Sequence, residues 1–563
     1  MHRLLKFLPH SLRSNAPETL VKKADKEQKW HRITIVFLVV TSLLRLCLLP
    51  TKELAADEAY YWDWSRHLAL GYYDQGPLIA YLIRLTTAIA GANEFGVRLG
   101  VWGVSCGTLI GAYVLTHRFS SAQAGFLAVL FLALTPLFTA GSLIATYDPP
   151  LVFFWMLSLL ALERALFASD GRSRNRAWAA AGLWSGLGLL SKHTMLFIAP
   201  CLLLFLLLSR PHRHWLSRPQ PYLAFLFMLL LYSGVLWWNA THHWWTFGHL
   251  GYLVGKDGGT PLRRFGDLVG SQTLLIGPGL FLGGVWAMWK TARNGRGRMG
   301  AEVSATGLPD VQLTWETSRG NGPDFFRTVR LFLCCFGLPV LAFFCLMTLK
   351  AKVQANWAPC GWITPIIALA IFLADARNLP HRAARRARLQ IAGIVLTSGL
   401  LTLLLLFPPL RSAIGIRQKP GDDIENKMSG GRQMGREAGA ILAEMQKGGR
   451  PVFLTGNDYQ TCALLAFYVP GHPQTYDLFL GYRLNFYAAS VEDLKAHIGD
   501  NALYVNETKG EDAELRTLFE RVQWSGPDPV WRRPYFAQPI RSHYYGRCYD
   551  FRRFIGISQA HGG

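Results

Sequence analysis

Charge is scarce in this sequence. Only 17% of its 563 residues are charged, against 51% hydrophobic, whereas a soluble chain of this length folds as two or more domains with more charge. That scarcity argues against an ordinary soluble enzyme. Paired-cysteine patterns are missing too: none of the nine cysteines forms a CxxC pair. Cys47, Cys106, Cys201, Cys334, Cys335, Cys345 and Cys360 lie in or near apolar runs and read as packing residues. Cys462 and Cys548 alone fall in a polar C-terminal region, and the sequence leaves open whether they bond or stay buried thiols. No small-x-small pattern follows the first apolar run, which ends Leu49-Pro50-Thr51, so it does not read as a removable signal peptide. The apolar runs show no internal repeat, which weighs against a transporter or lipid flippase.

What the chain does have is a series of apolar stretches of bilayer length. About eleven transmembrane helices are expected, over 33–50, 97–116, 122–140, 149–168, 177–190, 194–209, 221–238, 271–290, 329–349, 358–375 and 389–408. The run 177–208 could instead be one long helix, but a single crossing would put the basic segment RPHRHWLSRP outside. The shorter piece 77–90, between Pro77 and Gly91, predicts a helix lying in the interface. The net charge of +22 would suit nucleic acid. The Lys and Arg residues gather in short loops between apolar runs, however, where they set topology. With the N-terminus cytoplasmic, every second connection carries arginines: Arg172, Arg174 and Arg176; Arg210, Arg213 and Arg218; Arg293, Arg296 and Arg298; then Arg377, Arg382, Arg385, Arg386 and Arg388.

Three regions follow: a basic cytoplasmic tail over 1–32, a transmembrane catalytic domain over 33–408, and a small extracytoplasmic α/β domain over 409–563. In the last, PVFLTG (451–456) and ALYVNE (502–507) predict strands, and YQTCALLAFYV (459–469) and EDAELRTLFERV (511–522) predict helices. The Gly- and Arg-rich stretch 291–328 reads as a flexible cytoplasmic connection.

This threading gathers scattered polar groups on one non-cytoplasmic face. The first outer loop, DEAYYWDWSRHLALGYYDQGPL (57–78), sets Asp57, Glu58 and Asp74 among Tyr60, Tyr61, Trp62 and Trp64. It reads as a site for a polar reaction on a lipid-anchored substrate, or as an interfacial aromatic belt with solvated charges. Asp148, before Pro149-Pro150, reads as an N-cap or as a second site acid. Lys192 and His193, at a tight re-entry between spans, suit either snorkelling or a phosphate. His242-His243 lack an accompanying HxxxH or HExxH and read as part of an aromatic interface segment. Arg263 and Arg264 precede a span and suit a lipid phosphate. Lys350 and Lys352, with Asn356 nearby in LKAKVQANWAPCGW (349–362), place positive charge against the topology rule, which calls for a ligand or for a different threading.

Together DEAYYWDW, GYYDQGPL, ATYDPPLVFF, GLLSKHTMLF and VQANWAPC resemble the GT-C superfamily of polyprenyl-phosphate-sugar glycosyltransferases. Within it they are similar to the family-39 branch of protein O-mannosyltransferases and lipid A aminoarabinose transferases. NDYQTCALLAFYVPG and GYRLNFY resemble the outer domain of bacterial members. The resemblance covers nearly the whole chain and implies a bacterial inner-membrane enzyme with a periplasmic C-terminal domain. By position it carries the first-loop acid onto Asp57, the second acid onto Asp148 and the basic site onto Lys192. Aminoarabinose transferases have an acidic-Lys-Pro-Pro sequence where this chain reads Asp74-Gln75-Gly76-Pro77, which departs from the pattern for that sugar.

A lipid-linked donor fits an outer-face site, where no nucleotide sugar is present. Its phosphate leaving group needs cations more than a general acid; Lys192, Arg263, Arg264, Lys350 and Lys352 are the candidates. The acceptor, a lipid A, another glycolipid or a protein, needs a carboxylate to orient its hydroxyl and take the proton. Asp57 is the candidate base, with Glu58 and Asp148 orienting, and Tyr60, Tyr61, Asp74, His193 and Asn356 lining the substrate site. One displacement would invert the anomeric centre. A divalent ion on these acids is compatible with the chemistry, but no ligand pattern demands it.

Overall fold

The computed structural model describes residues 18–255, 259–293, 323–377, 379–415, 427–480, 484–490, 492–507, 512–525 and 543–553. The first seventeen residues of the basic tail and residues 294–322 of the expected connection 291–328 lie outside the described residues. The two ends of that connection are helical, within Pro278–Arg293 and Pro323–Cys335.

Each of the eleven apolar stretches is helical. Among the described residues, seven helices are long and apolar enough on their own to cross a membrane, and up to nine if two bent pairs each count as one span. Local chemistry explains most boundaries. The Asn93 side chain accepts the Gly96 N–H at 2.9 Å and starts the helix Glu94–Phe119. Ser121 and Asp170 cap Ala122–Leu134 and Gly171–Ser191 in the same way. Thr135-Pro136 ends Ala122–Leu134, because the residue before proline is driven out of helical geometry. The stretch 177–208 is not one helix: Gly171–Ser191 stops at Lys192, whose backbone is extended, before Ile198–Leu208 begins. Leu78–Ala90 buries Ile79, Ala80, Ile83 and Thr86 and leaves Leu85 and Ile89 exposed, an amphipathic distribution suited to an interface.

The stretch 271–290 is not the straight span expected. It divides into Pro261–Ile276 and Pro278–Arg293, bent by 107°. Gly277 makes the corner at φ +94°, a conformation side-chain-bearing residues avoid, and Pro278 starts the second arm.

The C-terminal region forms a five-stranded sheet in the order β2-β1-β3-β5-β4. β1 (Val452–Gly456) pairs in parallel with β2 (Thr475–Asp477) and β3 (Asn501–Asn506). β5 (Tyr544–Phe551) runs antiparallel to β3 and to β4 (Phe519–Ser525). The segment 511–522 was expected to be helical throughout; the helix ends at Leu518 and the chain turns directly into β4. Alternation along the strands separates two cores. Leu503, Val505 and Tyr545 face one side, and Ala502, Tyr504 and Cys548 the other.

That alternation settles the two outer cysteines. Cys462 belongs to the first core and Cys548 to the second, so the sheet stands between them; both are free and buried. The disulfide alternative does not hold in this structure.

Candidate active site

Asp57 and Glu58 share the first turn of the helix Ala56–Arg66, yet one helical step sends them to different surroundings. Glu58 is fully buried. It accepts Arg98 Nε at 2.8 Å and Nη2 at 2.7 Å, plus the N–H groups of Ala145 at 2.8 Å and Ala55 at 2.9 Å. The rest of the guanidinium donates to the carbonyls of Leu49, Lys52 and Glu53. A bidentate pair with all its donors and acceptors engaged is a fastener. Asp57 is exposed, and the amide of Gln460 reaches its Oδ1 at 3.4 Å.

The aromatic residues beside these acids are neither a solvated belt nor an open platform. Tyr60, Trp62 and Trp64 are buried in a core shared with the helix Tyr459–Tyr468 of the sheet domain. Tyr60 lies 4.7 Å from Tyr459 between ring centroids and Trp62 lies 4.9 Å from Phe467. The Tyr60 hydroxyl donates to Asp74 at 2.7 Å and accepts the Phe486 N–H at 2.8 Å. Asp63, also buried, bonds Tyr487 and Arg66. Burial pushes its carboxyl above the usual range despite the arginine.

Three residues far apart in sequence meet at the second acid. Asp148 accepts Lys192 Nζ on Oδ1 at 2.7 Å and Asn356 Nδ2 on Oδ2 at 2.7 Å. Lys192 Nζ also lies 3.5 Å from the Asn356 carbonyl and 4.9 Å from the Tyr147 ring centroid. Asp148 is the first residue of Asp148–Phe167, and the N-cap position is taken by Tyr147. The alternative reading as an N-cap therefore fails: the carboxylate is spent on Lys192 and Asn356. His193 turns the other way, onto the Tyr232 hydroxyl at 2.7 Å.

Tyr61 and Tyr147 connect the two acidic positions. Their rings are 5.7 Å apart. Burial raises both phenols well above their ordinary value, and the fields of Asp57 and Asp74 act on both in the same direction. Asp148 adds to the effect on Tyr147. Asp57 and Asp74 thus act on both tyrosines, and Asp148 on Tyr147 alone. Tyr147, Gln460 and His249 (3.4 Å from Asp74) were not singled out from sequence. Only the aspartate after Tyr147 stood out there; nothing in the sequence marks Gln460 or His249.

The first loop also touches the turn that carries Lys192. A Cβ on Gly76 would lie 2.1 Å from the Leu190 carbonyl oxygen, so only glycine lets these backbones meet. Of the other expected cations, Arg264 is buried and donates to the carbonyls of Lys350 at 2.9 Å and Leu349 at 3.0 Å. Gln272 donates to the Ala355 carbonyl at 2.6 Å. These bonds fix the segment 349–356, which runs on to the Asp148 cluster. Arg263, Lys350 and Lys352 are exposed. Beside Asp148 and Asn356 opens a cavity of about 180 Å³, walled mainly by apolar side chains such as Leu109, Leu137, Phe138 and Val152, with Arg45 in its lining. The histidine pair shows no convergence on an ion: His242 stacks on Trp238 at 4.2 Å.

Residues 74–238 match the family described as dolichyl-phosphate-mannose-protein mannosyltransferase. A lipid A galacturonosyltransferase of Rhizobium johnstonii is 27% identical over 409 residues, covering 71% of this chain and 75% of that protein. An undecaprenyl phosphate-α-4-amino-4-deoxy-L-arabinose arabinosyl transferase of Pseudomonas paraeruginosa is 30% identical over 258 residues, covering 41% of this chain and 45% of that one. The fold is that of ArnT from Cupriavidus metallidurans, solved bound to undecaprenyl phosphate: the TM-score is 0.57 at 14% identity, covering 91% of this chain and 97% of that one. Fold, family match and relatives agree on one kind of catalyst, and the chain is a membrane-embedded glycosyltransferase of the GT-C superfamily of polyprenyl-phosphate-sugar enzymes.

Proposed function

We propose that the chain transfers a sugar from a polyprenyl-phosphate donor to lipid A at the periplasmic face of a bacterial inner membrane, with inversion. The observation that carries the chemistry is the meeting of Asp148, Lys192 and Asn356 beside an apolar cavity, within electrostatic reach of Tyr147, which also feels Asp57. A lipid-linked substrate needs that combination of polar centre and apolar wall.

In this reading Asp57 takes the proton of the acceptor hydroxyl. It is the first-loop acid left exposed, whereas Glu58 is committed to Arg98. Asp148 orients, and Lys192 tempers its charge. The donor phosphate is met by Arg263, Lys350 and Lys352, whose cationic ends reach solvent. Arg264 acts by holding the backbone that presents Lys350. Attack and departure lie on opposite faces of the anomeric carbon, so one displacement inverts it.

Lipid A as acceptor is supported by the relatives, among which the galacturonosyltransferase aligns over most of both chains. The same alignment, with Gln75 where aminoarabinose transferases carry a lysine, favours a uronosyl over an aminoarabinosyl donor. The test is reconstitution in liposomes with undecaprenyl-phosphate galacturonate and lipid A, read by mass spectrometry. Glycosylated lipid A supports the proposal. Donor that crosses the bilayer uncleaved, or transfer only to protein, refutes it.

A further inference from the structure

The helix that carries Arg98 of the Glu58–Arg98 fastener brings a second cluster together at its opposite end, against the first long helix. His117 lies nineteen residues beyond Arg98 on Glu94–Phe119, about 28 Å along the axis at 1.5 Å per residue. That is close to the thickness of a hydrocarbon core. Here Glu27 and His31, four residues apart on one face of Glu18–Leu48, meet His117. One candidate ligand atom from each lies within 4.8 Å of the other two. His117 Nδ1 is 3.7 Å from Glu27 Oε2, and the two imidazoles meet edge to face at 4.9 Å between centroids.

We infer that Glu27, His31 and His117 form a binding site for a divalent transition cation of the zinc class. Two imidazoles and one carboxylate are a three-ligand set that such ions take, with a fourth position left for water. Tetrahedral ligation at about 2.1 Å sets ligand atoms roughly 3.4 Å apart, so small side-chain rotations close the site. The groups that orient metal ligands are already in place. The Tyr113 hydroxyl bonds His31 Nδ1, and the Ala122 N–H holds Glu27 Oε2 at 2.9 Å. The cluster is part-exposed: the His117 side chain is 37% accessible and that of Glu27 23%, which leaves an entry path. A bound ion would join the first long helix to the second and, through Ala122, to the start of the third. The inference is independent of the sugar and acceptor proposed above.

The experiment uses the full chain, carrying an affinity tag without histidine, in detergent and stripped with a chelator. Titration with Co²⁺ should give the visible absorption of a tetrahedral site at one ion per chain, and Zn²⁺ should displace it. His117→Asn and Glu27→Gln should each abolish stoichiometric uptake. Tyr113→Phe should weaken it by about 10-fold, as removal of an outer-shell partner does, and His243→Ala should leave it unchanged. Each variant is first checked for a monodisperse elution profile; where Glu27→Gln fails that check, Tyr113→Phe and His117→Asn decide. No stoichiometric ion on the wild-type chain, or full uptake by His117→Asn, overturns the inference.

Discussion

Two buried ion pairs hold this molecule's acid-bearing face, and they differ in what is left over. At Glu58–Arg98 every donor and acceptor is consumed among backbone and side chains, and neither residue lines the apolar cavity. At Asp148–Lys192 the carboxylate is also fully engaged, yet it and Asn356 line an apolar cavity, and Lys192 faces an aromatic ring. A saturated pair fastens chain segments. A pair placed at the mouth of a cavity can exchange partners when a substrate enters. The contrast teaches that burial and strong hydrogen bonds alone do not mark a catalytic acid; access does.

Substitutions can break that comparison. The largest effect is expected at Asp57, the accessible acid: Asp57→Asn should lower transfer by about 10²–10⁴ with normal folding, and near-normal turnover would remove it as the base. At the saturated pair, Glu58→Ala should act on stability, costing roughly 3–5 kcal/mol because Arg98 is left buried and uncompensated; the thermal midpoint and folded yield are the measurements. A variant that folds normally but is inactive would move Glu58 into the chemistry.

Among the cations, Lys350→Ala and Arg263→Ala should raise KM for donor more than for acceptor, while Arg264→Ala should also loosen the 349–356 segment. An unchanged KM for donor in all three would place the phosphate elsewhere. A smaller effect concerns Asp477 in the sheet domain, whose carboxyl burial raises to about 7. The folded state then binds this proton more tightly than the unfolded one. Its stabilising contribution is complete below about pH 4 and is lost as pH rises through about 7. Asp477→Asn should flatten that slope in a series of melting curves; an unaltered slope would refute the assignment. Least of all should change at Cys462 and Cys548: both should react with a thiol reagent after denaturation without reductant, and protection of either would restore a bond.

Much of this was legible in the sequence because charge is conspicuous against an apolar background. Asp148, Lys192 and Asn356 stood out as polar residues at span edges, and they do meet. Helix ends at Pro77 and Gly91 follow local backbone chemistry, which sequence carries directly, whereas the break at Thr135-Pro136 interrupts the single span expected over 122–140. What sequence did not carry is which partner an aromatic residue chooses. Tyr60, Trp62 and Trp64 have the composition of a membrane belt, and only the arrival of Tyr459, Phe467 and Phe486 from some 400 residues away turns them into a core. The different fates of Asp57 and Glu58 were hidden for the same reason, since Arg98 and Ala145 become neighbours only in three dimensions. The bend at Gly277 was masked by an apolar run that reads as continuous.

The core shared by the first loop and the sheet domain also imposes an order on the making of the protein. Tyr60 leaves the ribosome 399 residues before Tyr459, so at about 5–20 residues per second the aromatic helix waits roughly 20–80 s for its cover. During that interval the nascent chain carries an uncovered apolar surface on the helix that bears Asp57. A chain cut short before the sheet domain would keep that surface indefinitely. The later-made sheet domain therefore completes the earlier-made loop, and maturation of the enzyme is tied to synthesis of that domain.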